Sequence, residues 1–500
     1  MRMQDANLYY TLNPVQRMAR RLRDGFVGAP RGLWNAIRAF GRWIARCARE
    51  LWDVLRELCA ALRHGDLSVK GSFLLMGLGC LCHKQVVKGL LYLLAEGLFI
   101  AYMALFGWEY LAKFGTLGTA VKRQVWDEEL QIYVYEQGDN SMLILLFGVL
   151  TLLLIALFLI LYANAIRAGF RAQQLLRQGE RPAAFREELR SLLDSRFHWS
   201  LLSLPVLLVT AFTVLPLLFM ILIAFTNFDT AHQPPGNLFT WVGWQNFREL
   251  LWDDPVKSHT LWSLLGWTLT WAVFATFTNY IFGIILSLMI NKKGIRLKKM
   301  WRTIFVVTIA VPQFVTLLFL SQLLHEQGAL NTLLLEWGWI DQPIRFLTDA
   351  TLARVTVIVV NMWVGIPYTL LIATGILLNI PEELYESARI DGAGPVRTFF
   401  RITLPYMLFV TTPYLITQFV GNINNFNLIF LLTGGEPSTL EYFRAGKTDL
   451  LVTWLYKQTV NFQNYNVAAA IGIIVFILSA VFSLLVYNRS GSARREGEFA

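Results

Sequence analysis

Charged side chains are scarce in this sequence. Only 16% of its 500 residues are Asp, Glu, Lys or Arg, where a soluble domain ordinarily carries roughly 25%. That shortage argues against a solvated globular protein. Histidine is equally thin, with six residues at 64, 83, 198, 232, 259 and 325 and no HExxH or paired ligand spacing among them. The four cysteines stand at 47, 59, 80 and 82. Cys80 and Cys82 form a CxC beside His83, but no second ligand pair follows, so no metal site is expected. A membrane enzyme would need paired carboxylates or metal ligands, and neither is present. An ATP-binding loop is missing too. Gly446-Lys447-Thr448 imitates the end of one, but the glycine required five positions earlier is Glu441.

What the sequence has in quantity is apolar. Hydrophobic residues make up 55% of it and the mean hydropathy is +0.47. They gather into runs of about 20, the length a helix needs to cross a bilayer core. Eight spans are expected, at about 88–107, 141–163, 200–226, 263–290, 303–325, 352–378, 404–432 and 466–487. The fold class is therefore all-α, a polytopic membrane protein. GSFLLMGLGCLC (71–82) is too short to cross and reads as interfacial or re-entrant. No apolar h-region with a small-residue cleavage site opens the sequence, so no removable signal peptide is expected.

The formal charge of +10 is informative through its position. With the N-terminus taken as cytoplasmic, 34 of the 44 Lys and Arg fall on that side and nine on the other. The positive-inside rule then places both termini in the cytoplasm. The basic excess is topological and requires no nucleic acid. The cysteines fall on the reducing side, where disulfides are rare.

Residues 33–62 are helical by period. Leu33, Ile37, Phe40, Ile44, Cys47, Leu51, Val54, Leu58 and Leu62 make an apolar stripe, and Arg38, Arg42, Arg46, Arg49 and Arg56 fall off it. Such a helix suits an anionic lipid surface, a cytoplasmic partner or a second copy of itself. The outer loop 227–262 carries Trp241, Trp244 and Trp252, which fit an interfacial belt or a landing surface for an extracellular partner. Glu96, the one acid well inside a span, is expected to pair structurally with another helix.

Residues 381–405 read PEELYESARIDGAGPVRTFFRITLP. Pro381 suits a first helical turn, Glu382 and Glu383 complement its positive end, and Gly392, Gly394 and Pro395 break the pattern. A helix of about eleven residues follows, ~16 Å long. Alone it reads as an ordinary surface helix-turn or as a short lever for docking. The stretch resembles the EAA loop of binding-protein-dependent ABC importer permeases. Glu386-Ser387-Ala388 fill the EAA positions, Asp391 opens the following stretch, Gly392 is the glycine, and Ile402, Leu404 and Pro405 complete the pattern. In that family the loop is the coupling helix, about 381–392 here, which docks on the ATPase subunit. The resemblance narrows to the MalF-type permease subunit of maltose/maltodextrin importers. It spans about 85–487 and rests on NMWVGIPYTLLIATG, DGAGPVRTFFRITLP and NINNFNLIFLLTGG; WDEE (126–129) and GDNSMLILLFG (138–148) are similar to Gram-positive members. Enterobacterial members carry a large extracellular domain where this chain has only 227–262.

Within 421–427, GNINNFN, four asparagines lie in an apparent span. One or two could be interhelical glue, worth about 0.6–2 kcal/mol each. Four beside a glycine fit better as a polar wall of a water-filled cavity. Asn422 and Asn425 share a face toward the cavity, whereas Asn424 and Asn427 are expected to bond neighbouring helices. Asn361, Gly365 and Tyr368 align on one side of the sixth span, with Gly365 open to close approach and Pro367 loosening the helix. Amides and aromatic faces without charge suit a neutral sugar. The resemblance adds Val364 and Gly421, so that Asn361, Val364, Gly365, Tyr368, Gly421, Asn422 and Asn425 are the expected sugar contacts. The position of Gly421 is aromatic in enterobacterial members.

The expected layout is a basic cytoplasmic region (1–70), a two-span region (71–199), a six-span permease core (200–488) and a cytoplasmic tail (489–500). The resemblance implies a second, similar permease, two ATP-binding subunits and an extracellular sugar-binding protein, with membrane lipids around them. It implies no cofactor in this chain, ATP and Mg being held by the ATPase partners. Two other readings are the same machine carrying another neutral sugar or polyol, and an ion-coupled secondary transporter. The latter would need more intramembrane acids than Glu96.

Overall fold

Apolar runs become long helices because a buried backbone must satisfy its own polar groups. The computed structural model describes residues 29–487 except 129, 130, 137 and 293. The start of the basic region (1–28) and the expected tail (489–500) lie outside the described residues. In chain order the main helices are α1 (Ala29–His64), α2 (Val86–Lys113), α3 (Ser141–Arg177), α4 (Ser200–Ile223), α5 (Pro255–Asn291), α6 (Lys298–Ala310), α7 (Gln313–Leu323), α8 (Ala350–Leu378), α9 (Glu382–Ile390), α10 (Pro395–Ile423), α11 (Phe426–Leu432) and α12 (Tyr465–Tyr487). Among the described residues, seven helices are long and apolar enough to cross a membrane, and α6 with α7 makes an eighth if the bent pair is one span.

Two expected spans are not continuous. The run 303–325 bends by 88° between α6 and α7. Its cause is Val311-Pro312: proline removes a helical N–H and drives the preceding residue to extended backbone, and Val311 sits at φ −77°, ψ 124°. The run 404–432 breaks at Asn424-Asn425, where α10 ends and Asn425 caps α11 by accepting from Leu428 N–H at 3.3 Å.

The described residues divide into two compact units. One comprises 39–246 with 463–469. In it the stretch 65–82 forms two short helices, Leu67–Gly71 and Leu78–Cys82, laid against α2 and α3. Gly79 and Gly169 meet almost backbone to backbone; a Cβ on Gly169 would stand 3.2 Å from Gly79 Cα. Glu96 accepts a 2.7 Å hydrogen bond from Met76 N–H, so its partner is the turn between the short helices rather than another span. Between α2 and α3 lies an element absent from the apolar-run reading. Strands β1 (Arg123–Asp127) and β2 (Ile132–Glu136) pair antiparallel, with Trp126 opposite Tyr133 and their rings edge to face at 5.0 Å. Trp241 is anchored rather than free at an interface, donating to Phe114 O at 3.1 Å.

The other unit comprises 247–462 with 470–487 and the start of α1. Its centre is the pair α5–α8. Gly283 admits Thr369, whose Cβ would lie 2.6 Å from any added Cβ, and Ser287 and Thr374 share a 2.8 Å hydrogen bond. Small residues let two helices approach and polar hydroxyls bond across them, the usual way to join helices in a membrane. Trp267, Trp271, Val357, Leu428 and Leu432 pack beside this seam. The Gly446-Lys447-Thr448 turn is structural: Thr448 O accepts from Trp267 Nε1 at 3.1 Å and Gly446 N–H donates to Asp449 at 2.7 Å. Burial pushes the Asp449 carboxyl up, against the opposing pull of Lys457 at 2.6 Å.

Candidate functional site

The seam between α5 and α8 opens into a cavity of about 300 Å³, closed on its other sides by α10, Asn425 and the start of α7. That volume lies at the lower end of ligand sites, roughly 300–1,000 Å³. From α5 come Thr276, Asn279 and Tyr280; from α8, Asn361, Val364, Gly365, Tyr368 and Thr369; from α10, Tyr414, Gln418 and Asn422. Gln313 enters from the bend before α7. Every polar side chain in this lining is uncharged.

Six of the seven expected sugar contacts converge here. Asn361 is buried and donates to Ala275 O at 3.3 Å, which ties α8 to α5. Tyr368 lines the cavity and is 48% exposed. Asn422 is held twice: its Nδ2 donates to Thr276 Oγ1 at 2.9 Å, and its backbone carbonyl accepts from Trp271 Nε1 at 3.0 Å. Asn425 donates to Asn422 Oδ1 at 3.5 Å while capping α11. Val364 supplies an apolar wall. Gly421 is the exception, exposed and outside the lining, with nothing within 4 Å of an added Cβ.

Gly365 lines the cavity for a reason different from the expected one. A Cβ there would meet Asn279 Nδ2 at 2.1 Å, so the glycine makes room for a neighbouring side chain. Of the outward asparagines, Asn424 donates to Val420 O at 3.1 Å and reaches Ser479 of α12 at 3.5 Å. Asn427 is exposed and bonds no neighbouring helix among the described residues. Asn279, Gln313, Tyr414 and Gln418 escaped the sequence reading. Thr276, Asn279 and Tyr280 do recur at helical spacing within an apolar run, and that polar stripe is the signal that could have found them.

The loop carrying Glu386 folds as α9, nine residues rather than eleven. Its C-terminus closes with a Schellman pattern: Gly392 N–H donates to Arg389 O at 3.0 Å and Ala393 N–H to Ala388 O at 2.9 Å. Gly392 has φ +70°, a conformation that glycine adopts without strain. Tyr385 and Thr403 hydroxyls, 3.1 Å apart, fasten the helix to the start of α10, and Ala388 is buried beneath it. Glu386, Ser387, Asp391 and Gly392 are exposed, and Ile390 is 86% exposed. A short rigid helix thus presents acids, Arg389, small residues and two apolar side chains, Leu384 and Ile390, outward.

Residues 279–491 match the model of the family described as binding-protein-dependent transport system inner membrane component. The galactooligosaccharides transport system permease protein GanP of Bacillus subtilis (strain 168) is 34% identical over 423 residues, covering 84% of this chain and 96% of that protein. The maltodextrin transport system permease protein MdxF of the same organism is 32% identical over 429 residues, 84% and 94% of the two chains. The maltose/maltodextrin transport system permease protein MalF of Escherichia coli (strain K12) is 34% identical over 264 residues, 52% of this chain and 51% of that one. A crystal structure of a bacterial ABC transporter involved in the import of the acidic polysaccharide alginate shares the fold. It has a TM-score of 0.50 at 22% identity and covers 61% of this chain and 98% of that one. The chain is a multi-span transport subunit and belongs to the family of binding-protein-dependent transport system inner membrane components, the permeases of ABC importers.

Proposed function

We propose that this chain moves maltose and maltodextrins into the cytoplasm by alternating access, as one permease of an importer powered by ATP. The observation that carries the substrate class is the cavity, where amides, hydroxyls and tyrosine rings converge without one ionic side chain. Such groups pair with sugar hydroxyls and stack on sugar faces, whereas an anionic substrate would call for Arg or Lys. Asn361, Val364, Gly365, Tyr368, Asn422 and Asn425 form the wall; Gly421 stands beside it, where a larger residue would find open space. The similarity to a maltodextrin permease supports the particular sugar. The similarity to a galactooligosaccharide permease favours a second reading, the same machine carrying that neutral sugar.

The remaining parts belong to the same proposal. Both termini face the cytoplasm, the first 70 residues lie on that side, and 200–488 form the six-span core. A second, similar permease completes the pathway, an external sugar-binding protein delivers the sugar, and two ATP-binding subunits hold ATP and Mg and hydrolyse the nucleotide. Glu386, Ser387, Asp391 and Gly392 form the exposed coupling face through which those subunits drive the spans, and Ala388, buried on the inner side of α9, seats it. Shifting such a two-state equilibrium from 1:99 to 99:1 takes about 5.5 kcal/mol of differential binding, which closure of an ATPase pair can supply. Uptake of labelled maltotriose and galactotriose by cells with the chain intact, deleted, or carrying Tyr368→Ala tests the reading. Deletion should abolish import and Tyr368→Ala should reduce it. Unchanged maltotriose import after deletion contradicts the maltodextrin reading, and loss of galactotriose import alone selects the second.

A further inference from the structure

Hydrogen-bond accounting around the cavity separates one asparagine from the rest. Asn361, Asn422 and Asn425 each spend amide groups on the protein itself, on Ala275 O, Thr276 Oγ1 and Leu428 N–H. Asn279 does not. Its Oδ1 is buried and has no partner, and among the described residues its amide makes no hydrogen bond. Yet the side chain lines the cavity, seated in the space that the absent Cβ of Gly365 leaves, 2.1 Å from where that atom would lie. Buried polar groups are almost always paired, and leaving one unpaired costs about 1–3 kcal/mol. An amide that the fold houses so closely and leaves unspent points to a partner from outside the protein.

We propose that Asn279 is a substrate-reading residue, its amide giving and accepting hydrogen bonds with adjacent hydroxyls of a neutral sugar, and that Gly365 is glycine in order to hold it there. The inference rests on the sugar-import reading and adds to it a contact from α5, packed against the α8 wall at Gly365. An amide offers a donor and an acceptor side by side, which matches a vicinal diol, each of whose hydroxyls can both give and accept. With no sugar bound the buried Oδ1 stays unpaired; sugar arriving as the spans move gives the amide hydrogen bonds in a fixed geometry. A carboxylate ligand has no hydrogen to give Oδ1, so the contact selects hydroxyl-bearing substrates.

The test uses the full chain in cells carrying the complete transport system, with labelled maltotriose and galactotriose as probes and the amount of assembled permease in the membrane measured alongside. Asn279→Ala removes an unpaired buried group, so assembly should be equal to or above that of the unmutated chain. The loss of a neutral hydrogen-bond pair to the sugar should raise the half-saturating sugar concentration about tenfold. Gly365→Ala should show the same rise because its Cβ displaces the amide. The double variant Gly365→Ala/Asn279→Ala, in which the clash is relieved, should be no worse than either single one. An unchanged half-saturating concentration in Asn279→Ala overturns the assignment. So does a fall in assembled permease that accounts for the lost uptake, since the amide would then be holding the fold. If the unmutated chain imports neither sugar, the substrate reading itself fails; if it imports one and Asn279→Ala imports it equally well, only the role of Asn279 fails.

Discussion

Replacing Gly392 by alanine isolates the geometry that closes α9. The residue sits at φ +70°, and a Cβ there would have nothing within 4 Å, so the substitution adds no clash. Its effect is confined to the backbone. A residue with a Cβ pays about 1–2 kcal/mol in the left-handed region, which lowers the population of the closed helix end by a factor of about 5–30. If α9 is the surface that ATP-binding subunits grip, their affinity for the permease should fall by up to that factor, and sugar-stimulated ATP hydrolysis should fall with it. Gly394 supplies the control two residues on. It also has open space around a Cβ, but at φ −68° and ψ 165° alanine is unstrained, so Gly394→Ala should stay within about 0.5 kcal/mol of the unmutated chain. The assay is binding of the ATPase subunits to detergent-solubilised permease, with ATP hydrolysis measured in the reconstituted complex. Equal behaviour of Gly392→Ala, Gly394→Ala and the unmutated chain would refute the coupling role of α9.

Three further outcomes follow from the packing. Gly283→Val forces a side chain against Thr369 Cβ, 2.6 Å from the ideal Cβ position, and overpacking of this kind costs about 1–3 kcal/mol; thermal unfolding in detergent should shift down accordingly. Trp271→Phe removes the 3.0 Å bond to the Asn422 backbone carbonyl, which keeps the Asn425 N–H at 3.2 Å, and should destabilise by about 0.5–1.5 kcal/mol, with an accompanying loss of sugar affinity because Asn422 forms part of the wall. At the base of the β1–β2 hairpin, the Lys113 ammonium holds the Asp139 carboxyl down at about 2, helped by the N–H groups of Thr119 and Ala120 against the effect of burial. A lowered folded pKa contributes stability above the ordinary value of 3.8 that is lost as pH falls toward about 2. Hydrogen exchange at Thr119 and Ala120, corrected for intrinsic rates, should therefore show protection that holds from neutral pH to about 4 and fades below it. Asp139→Asn should weaken that protection at neutral pH.

Much of the fold was legible because crossing a bilayer demands about 20 apolar residues, and such runs stand out. The breaks were harder to read. Val311-Pro312 and Asn424-Asn425 both carry local signals, a proline after an extended residue and an asparagine cap. Inside an apolar run the length of the run outweighed those signals. The hairpin was missed because two five-residue strands, of which only β2 alternates β-branched and aromatic residues, make a weak signal beside spans. At the candidate site, helical spacing brought out Asn361, Gly365 and Tyr368, and the asparagine cluster announced itself by composition. The Thr276, Asn279 and Tyr280 stripe on α5 was legible, but the setting of Asn279 was hidden for a physical reason: it depends on Gly365, 86 positions later. Gly365 in turn read as an opening for ligand when it houses that amide. Such contacts exist only once two helices have been placed side by side.

The measurement that tests the account most directly separates the energy sources of uptake in cells that depend on this chain. Labelled maltotriose uptake should stop when ATP is depleted with the proton gradient intact, and continue when the gradient is collapsed with ATP held constant. Uptake that follows the gradient and ignores ATP would contradict the importer mechanism at its centre.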